Sequence, residues 1–423
     1  MKRMTTIQCQ FKFLVAFSLM LAGGMFQSSA QQATVKLDSI TNARLSAVEK
    51  KVASNNPGQS HFVVVGLTTL GYVSSSTTSS LNGSSQADKI SAFGGADTYE
   101  FSPMLLWRQG NKVLVEFEPS FNHDGVSVNW ATVSYFAAPN VIVRGGYLVL
   151  PFGMYNKKLA AGWINKHATD PIGLPTGQDY GFEVSGGLPM GSIKWNYDLS
   201  VTNGMSLTIN SATKTPDGTI SGVGLNTTSR NKTFTGRLGL LPLSNNSLEV
   251  GVSALHGGVY NGNPQHQNAV TDMMAFDFNF VKNLSPFQVN IKSQYNFINV
   301  NDQTYKTAED STAVSYTFTN HSTSGYGQIS IRPIESQSNF LKRVELAYRY
   351  GNYITPSNSL WGSNSTQVDY SINYWINWRT VVRLTYEILD QKNTSNTLLG
   401  PYPDIKTNAL HIQFSIQFSI QTS

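Results

Sequence analysis

Cysteine is almost missing from this chain. Cys9 is the only one in 423 residues, so no disulfide, Cys-ligated metal or thiol nucleophile is expected beyond the N-terminus. Gln8 precedes it, and it stands ahead of an apolar stretch at 13–22, which does not suit lipid attachment. Charge is scarce as well: charged residues make up 13% and aromatics 11%, too apolar a balance for a disordered chain. The formal net charge is +5, and without Lys2, Arg3 and Lys12 it falls to +2. No basic cluster interleaves with aromatics, so nucleic acid is not an expected partner. Past the N-terminus no apolar run reaches the ~18 residues that mark a spanning helix. Catalytic signatures are lacking too. The seven histidines are scattered, with neither His-Glu-x-x-His nor Gly-x-Ser-x-Gly. His266 near Asp272 has no nucleophile beside it, and the Ser/Thr/Gly-rich stretch 202–231 lacks the strand, Gly-loop, Lys and helix order of a phosphate cradle. No enzyme, cofactor or metal site is expected.

The N-terminus is a signal for export. Lys2, Arg3 and Lys12 form a basic region, 13–22 is apolar, and Ser28-Ser29-Ala30 offers small residues for cleavage before Gln31. The apolar stretch is shorter than the ~20 residues a membrane anchor needs. Segment 31–58 follows. Leu37, Ile40, Leu45, Val48 and Val52 recur at helical spacing, and Asn55-Asn56-Pro57-Gly58 ends the pattern. A helix this short is marginal alone in water. It either self-associates as a short coiled coil or serves as a frayed tether.

From residue 59 onward the dominant pattern has period two. On a strand successive side chains point to opposite faces. At 112–121, Val113, Val115, Phe117 and Phe121 alternate with Glu116 and Glu118. At 192–201, Ile193, Trp195, Tyr197 and Leu199 alternate with Lys194, Asn196 and Asp198. At 407–418, Leu410, Ile412, Phe414, Ile416 and Phe418 alternate with His411, Gln413, Ser415 and Gln417. With a first strand at 61–73, about sixteen such passes follow, most near the ~9–11 residues of a tilted membrane strand. Short turns such as 109–111, 138–140 and 189–191 alternate with long polar connections at 74–97, 150–178, 202–231, 257–271, 298–321, 351–364 and 390–406. Only 122–125 is short where a long one is due. Alternation alone fits a soluble sandwich equally well. Segregated loop lengths do not, nor does the placing of Tyr99, Trp107, Tyr135, Tyr147, Tyr350, Trp361, Tyr374, Trp375, Trp378 and Tyr386 near strand ends, as girdles at two membrane interfaces require. The expected fold is all-β: a transmembrane, antiparallel, up-and-down barrel over 59–423.

Two stretches carry a resemblance. Val141-Ile142-Val143-Arg144-Gly145-Gly146-Tyr147 leads to Leu150-Pro151-Phe152-Gly153-Met154-Tyr155-Asn156 and then Gly162-Trp163-Ile164-Asn165-Lys166. Near the end, Ser371-Ile372-Asn373-Tyr374-Trp375-Ile376 leads to Val382-Arg383-Leu384-Thr385-Tyr386-Glu387 and a closing amphipathic strand. In these the chain resembles the Gram-negative porins typified by the phosphate-selective porins. The resemblance implies a sixteen-stranded barrel, a homotrimer, a short N-terminal periplasmic helix and a third loop folded into the lumen. The chain departs from it by running on as 419–423 and by lacking a dense series of basic residues.

The third long-side connection, 150–178, holds Lys157, Lys158, Lys166 and His167 against Asp170. Inside the lumen, and facing Arg144 on the wall, these cations are the candidate constriction; as loop-tip charges they would only be solvated. The polar strand face supplies Arg144, Arg237, Arg343, Arg349 and Arg383, and Glu116, Glu118, Asp198, Glu345, Asp369 and Glu387. These signs nearly balance, and such pairs either set a field across the pore or brace the wall. The expected function is passive diffusion of small hydrophilic solutes across an outer membrane, with a mild anion preference set at the constriction. The competing expectation is a receptor or adhesin barrel that works through its loops. A transporter of hydrophobic substrates would need an apolar lumen, against the inward Arg and Glu positions.

Overall fold

The computed structural model describes residues 60–93, 99–156, 165–175, 177–191, 193–221, 232–301, 303–308, 313–398 and 400–421. The expected signal peptide 1–30 and helix 31–58 lie outside these residues. So do Lys157 and Lys158.

In chain order the strands are β1 (Ser60–Leu81), β2 (Ser84–Phe93), β3 (Tyr99–Gln109), β4 (Val113–Asn122), β5 (Gly125–Ala138), β6 (Val141–Val149), β7 (Gln178–Met190), β8 (Ile193–Thr202), β9 (Ser206–Ile209), β10 (Pro216–Ser221), β11 (Thr233–Leu241), β12 (Leu248–Gly258), β13 (Val270–Leu284), β14 (Phe287–Val300), β15 (Tyr305–Lys306), β16 (Ser315–Tyr316), β17 (Asn320–Pro333), β18 (Val344–Ile354), β19 (Ser363–Asn377), β20 (Thr380–Asn393) and β21 (Asp404–Gln421). One sheet holds 17 of them. Leaving out β2, they form a closed antiparallel barrel of 16 strands, with no α-helix among the described residues. Closure is made by β21, which pairs with β1 from Val63↔Gln421 to Ser80↔Asp404. Residues 419–421 therefore continue the closing strand.

The faces are inverted relative to a soluble protein. On β19, Asp369 and Asn373 are fully buried while Tyr370 and Ile372 are 52% and 50% exposed. Phe234 and Leu238 on β11, Phe276 on β13 and Leu346 on β18 likewise point out, while Thr235, Arg237, Asp277 and Glu345 point in. Polar groups inside and a greasy surface outside are stable only where the outside solvent is lipid.

Three expectations are corrected. Stretch 74–97 is mostly strand. The upper half of β1 pairs with β2 from Tyr72↔Phe93 to Leu81↔Ser84, above the point where the lower half of β1 pairs with β3. Asn82 and Gly83 turn this hairpin with φ of 50° and 82°, the conformation for which Asn-Gly is the preferred two-residue turn. Its Ser/Thr strands carry no hydrophobic alternation, so the pattern hid them. Second, Trp375 is not in a membrane girdle: it is buried on the inner face and donates to Glu345 Oε2 at 2.7 Å. Trp361 packs on a buried apolar cluster and donates to the carbonyl of Asp217. Third, Arg343 is exposed in a 3-10 turn at Leu341–Arg343 that precedes β18, so it sits at the rim and not on the lumen wall.

Candidate functional site

The connection from β6 to β7 folds into the barrel. Its first arm runs against β12 and β14. Gly153 N donates to Ser253 Oγ at 3.0 Å, and Met154 N and Tyr155 N share Gln294 Oε1 at 3.0 and 3.1 Å. Gly153 has a φ of +66°, and a Cβ there would overlap the Gln294 amide. Only glycine allows both the turn and the close approach. Leu150 and Phe152 join Met205, Leu207, Leu255 and Met273 in a buried cluster, and Met154, Tyr155 and Leu174 pack on Tyr326.

The returning arm, 165–172, lies along β18, β19 and β20. His167 Nδ1 meets Ser371 Oγ at 2.7 Å, Ala168 N donates to Thr385 Oγ1 at 3.0 Å and Ile172 N to Gln367 Oε1 at 3.0 Å. Arg349 Nη2 donates to the Thr169 carbonyl at 2.9 Å and to its hydroxyl at 2.6 Å. Within the loop, Tyr155 Oη donates to Asp170 Oδ1 at 2.5 Å, and Asn165 Nδ2 donates to the same oxygen at 3.1 Å. Backbone groups taken from water are thus satisfied by side chains of the inner wall, as a loop inside a barrel requires.

Lys166 is not a free cation. Its Nζ stands 3.1 Å from Glu345, whose carboxylate also receives Trp375 Nε1 at 2.7 Å and Ser330 Oγ at 2.6 Å, and it lies over the Trp375 ring. Burial lowers its pKa from the ordinary lysine value, against the opposing pull of Glu345. Burial, then Arg349 and Arg383, holds His167 well below the ordinary imidazole range. Arg144, Arg237, Arg349 and Arg383 have partners too. Arg144 Nη1 is 2.8 Å from Glu183, and its Nε is 3.7 Å from Glu116. Arg237 lies 2.7 Å from Asp277 and 3.1 Å from Glu249. Arg349 lies 2.7 Å from Asp369. Arg383 donates to Gln413 and Ser415 at 2.8 and 3.1 Å. Glu387 receives Gln367 Nε2 at 2.7 Å and stands 3.2 Å from His411. Glu118 is on the inner face of β4 beside Glu116, and Asp198 on that of β8.

Sequence reading missed Glu100, Glu183, Glu249, Asp277 and Lys292. A signal existed for Asp277 and Lys292, which alternate with Phe276 and Phe278, and with Ile291, on β13 and β14. Between the returning arm and the far wall of β1, β3, β4, β5, β20 and β21 a cavity of about 490 Å³ stays open, with Glu100, Ser120, Asn129, Asp170, Glu387 and His411 on its lining and no Lys or Arg among the described lining residues.

No family model and no curated protein matches the chain. Solved structures do resemble it. The outer membrane channel DcaP of Acinetobacter baumannii is similar with a TM-score of 0.53 at 12% identity, over 85% of this chain and 97% of that one. An anion-selective porin from Comamonas acidovorans gives a TM-score of 0.49 at 13% identity, over 85% of this chain and 100% of that one. Salmonella typhi OmpF gives 0.48 at 9% identity, over 86% and 98%. At these identities the DcaP likeness shows a shared barrel fold.

Proposed function

We propose that the chain is an outer-membrane pore through which small hydrophilic solutes diffuse passively, with the loop from β6 to β7 as its constriction. The observation that carries this reading is the polar cavity left between that loop and the wall of a closed barrel whose apolar side chains face outward. A plugged barrel would leave no such path, and a lipid-facing surface with a wet interior is the architecture of a membrane channel. An anion preference of the kind expected from the basic loop would rest on Lys157 and Lys158, since Lys166 and Arg144 stand in ion pairs. Homotrimeric assembly, with segment 31–58 in the periplasm, belongs to the same proposal; cross-linking of the outer-membrane form with and without 31–56 checks it.

The deciding experiment is planar-bilayer recording of the purified protein. Discrete open-channel steps are expected. A barrel that inserts, resists heat in detergent and never conducts would instead be a receptor or adhesin acting through its loops.

A further inference from the structure

We propose that this passage favours cations, with Glu100, Asp170 and Glu387 as the residues that set the preference. The inference rests on the pore reading above and names the solute class of the same site. It runs against the charge of the loop as read from sequence, and the reason lies in which partner each charge has found.

Among the described residues, Lys166, Arg349 and Arg144 are drawn toward carboxylates and are absent from the cavity lining. Lys166 faces Glu345, and Arg349 faces Asp369 and the Thr169 carbonyl. Arg144 faces Glu183 and Glu116. Each guanidinium or ammonium here is matched by at least one carboxylate at close range, so its field at a distance is that of a dipole. The carboxylates on the cavity lining are held differently. Glu100 receives the hydroxyls of Ser102 and Ser120. Asp170 receives the Tyr155 hydroxyl and the Asn165 amide. Glu387 receives the Gln367 amide and stands beside His411. Hydroxyl and amide donors satisfy a carboxylate without cancelling its charge.

Register reinforces this. Arg349 is paired across from Asp369, and Asp369 across from Glu387, so one guanidinium faces two carboxylates in a row around the wall. Glu387 is the one on the lining. His411, its neighbour on β21, adds an imidazole to the lining.

A solute in this gap meets carboxylates held by hydroxyl and amide donors on both sides: Asp170 on the loop, and Glu100 and Glu387 on the wall. Charges at a constriction count for more than charges at the mouth, because little water lies between them and the solute. The class favoured is small hydrophilic cations such as alkali-metal ions and short amines.

The test is the reversal potential of single channels in a KCl gradient near about 0.1 M, where a charge still reaches ~10 Å. A K⁺/Cl⁻ permeability ratio of roughly three or more is expected, falling toward one near about 1 M salt, where the reach shrinks to ~3 Å. The Glu100→Gln, Glu387→Gln double variant should bring the low-salt ratio close to one while discrete steps of similar size persist, which also reports that it folds. Asp170 is spared in that variant because it anchors Tyr155 and Asn165. A wild-type ratio below one, abolished by replacing Lys157 and Lys158 with Gln, would overturn the inference and leave the pore reading intact. A cation preference that the double variant leaves unchanged would also overturn the assignment. If no conducting steps occur at all, the pore reading itself falls and the inference with it.

Discussion

The two sides of the barrel interior use the same strand pattern for opposite ends. On the side of β12, β13 and β14, the inner face meets other chain. Leu255, Met273 and Ala275 are buried against Phe152, Met205, Leu207 and Tyr305, while the polar inner positions Ser253 and Gln294 are consumed by the loop backbone. On the side of β1, β3, β4 and β5 the inner face meets water, and Thr69, Ser120 and Asn129 line the cavity. The difference comes from the connections. On the first side, five of them bring apolar residues inward, including Phe152, Leu207, Val259, Tyr305 and Leu360. On the second, 74–93 is drawn into an upright hairpin and only 123–124 joins β4 to β5. Which inner positions stay wet is therefore decided by loops, and alternation along the strands does not decide it.

The largest test of this contrast is charge burial. Arg237 is buried with Asp277 and Glu249. Replacing it with Met strands two buried carboxylates, and breaking a buried pair costs about 3–5 kcal/mol. Glu100→Gln, on the wet side, removes a charge held by hydroxyls and should cost under about 1 kcal/mol. Urea unfolding of the reconstituted barrels measures both. Equal losses would mean that the two sides are equally dry.

Next in size is the loop's anchor. Gly153→Val meets a positive φ and the Gln294 amide together, with strain of roughly 1–3 kcal/mol. The loop should come away from the wall, and single-channel conductance should rise. Unchanged conductance would place the narrowest point elsewhere.

Acid should loosen the same loop by a smaller amount. Burial holds His167 well below its ordinary value of 6.5. The docked loop keeps the imidazole neutral while the released loop takes up a proton. Stabilisation of the docked state is thus full above pH 6.5 and is lost as the pH falls below it, by at most about 1.4 kcal/mol per unit. Wild-type channels should show more high-conductance events at pH 5 than at pH 7, and His167→Asn should flatten that dependence. A variant that keeps the full pH dependence would assign it to another group.

How much of this could be read from the chain follows the same division. The strand count and the faces were legible, because alternation and connection length are local properties of sequence; the inward course of the third loop came from the resemblance alone. Arg237, Arg349 and Arg383 could be put on the inner face for the same reason. Their partners could not. Arg237 and Asp277, and Lys166 and Glu345, are far apart in the chain and meet only once register and loop path are fixed. The basic count of the loop does not show those meetings, so the pairing of Lys166 could not be read from it. Arg343 was misplaced because β18 begins only at Val344, which leaves Arg343 in the 3-10 turn before it.

The smallest expected effect belongs to the β1–β2 hairpin. Residues that in other connections turn inward here pair with one another, from Tyr72↔Phe93 to Leu81↔Ser84. Its turn depends on Asn82 and Gly83, both at positive φ. No residue of β2 is on the cavity lining. Gly83→Val should fray the hairpin by about 1 kcal/mol, seen as faster amide exchange over 74–91, while conductance and reversal potential stay at wild-type values. The lower half of β1 remains held by β3 and β21, so the barrel itself should not weaken. If fraying instead narrows the channel or shifts its selectivity, the freed segment has fallen inward. The upright hairpin would then be what keeps this side of the barrel open.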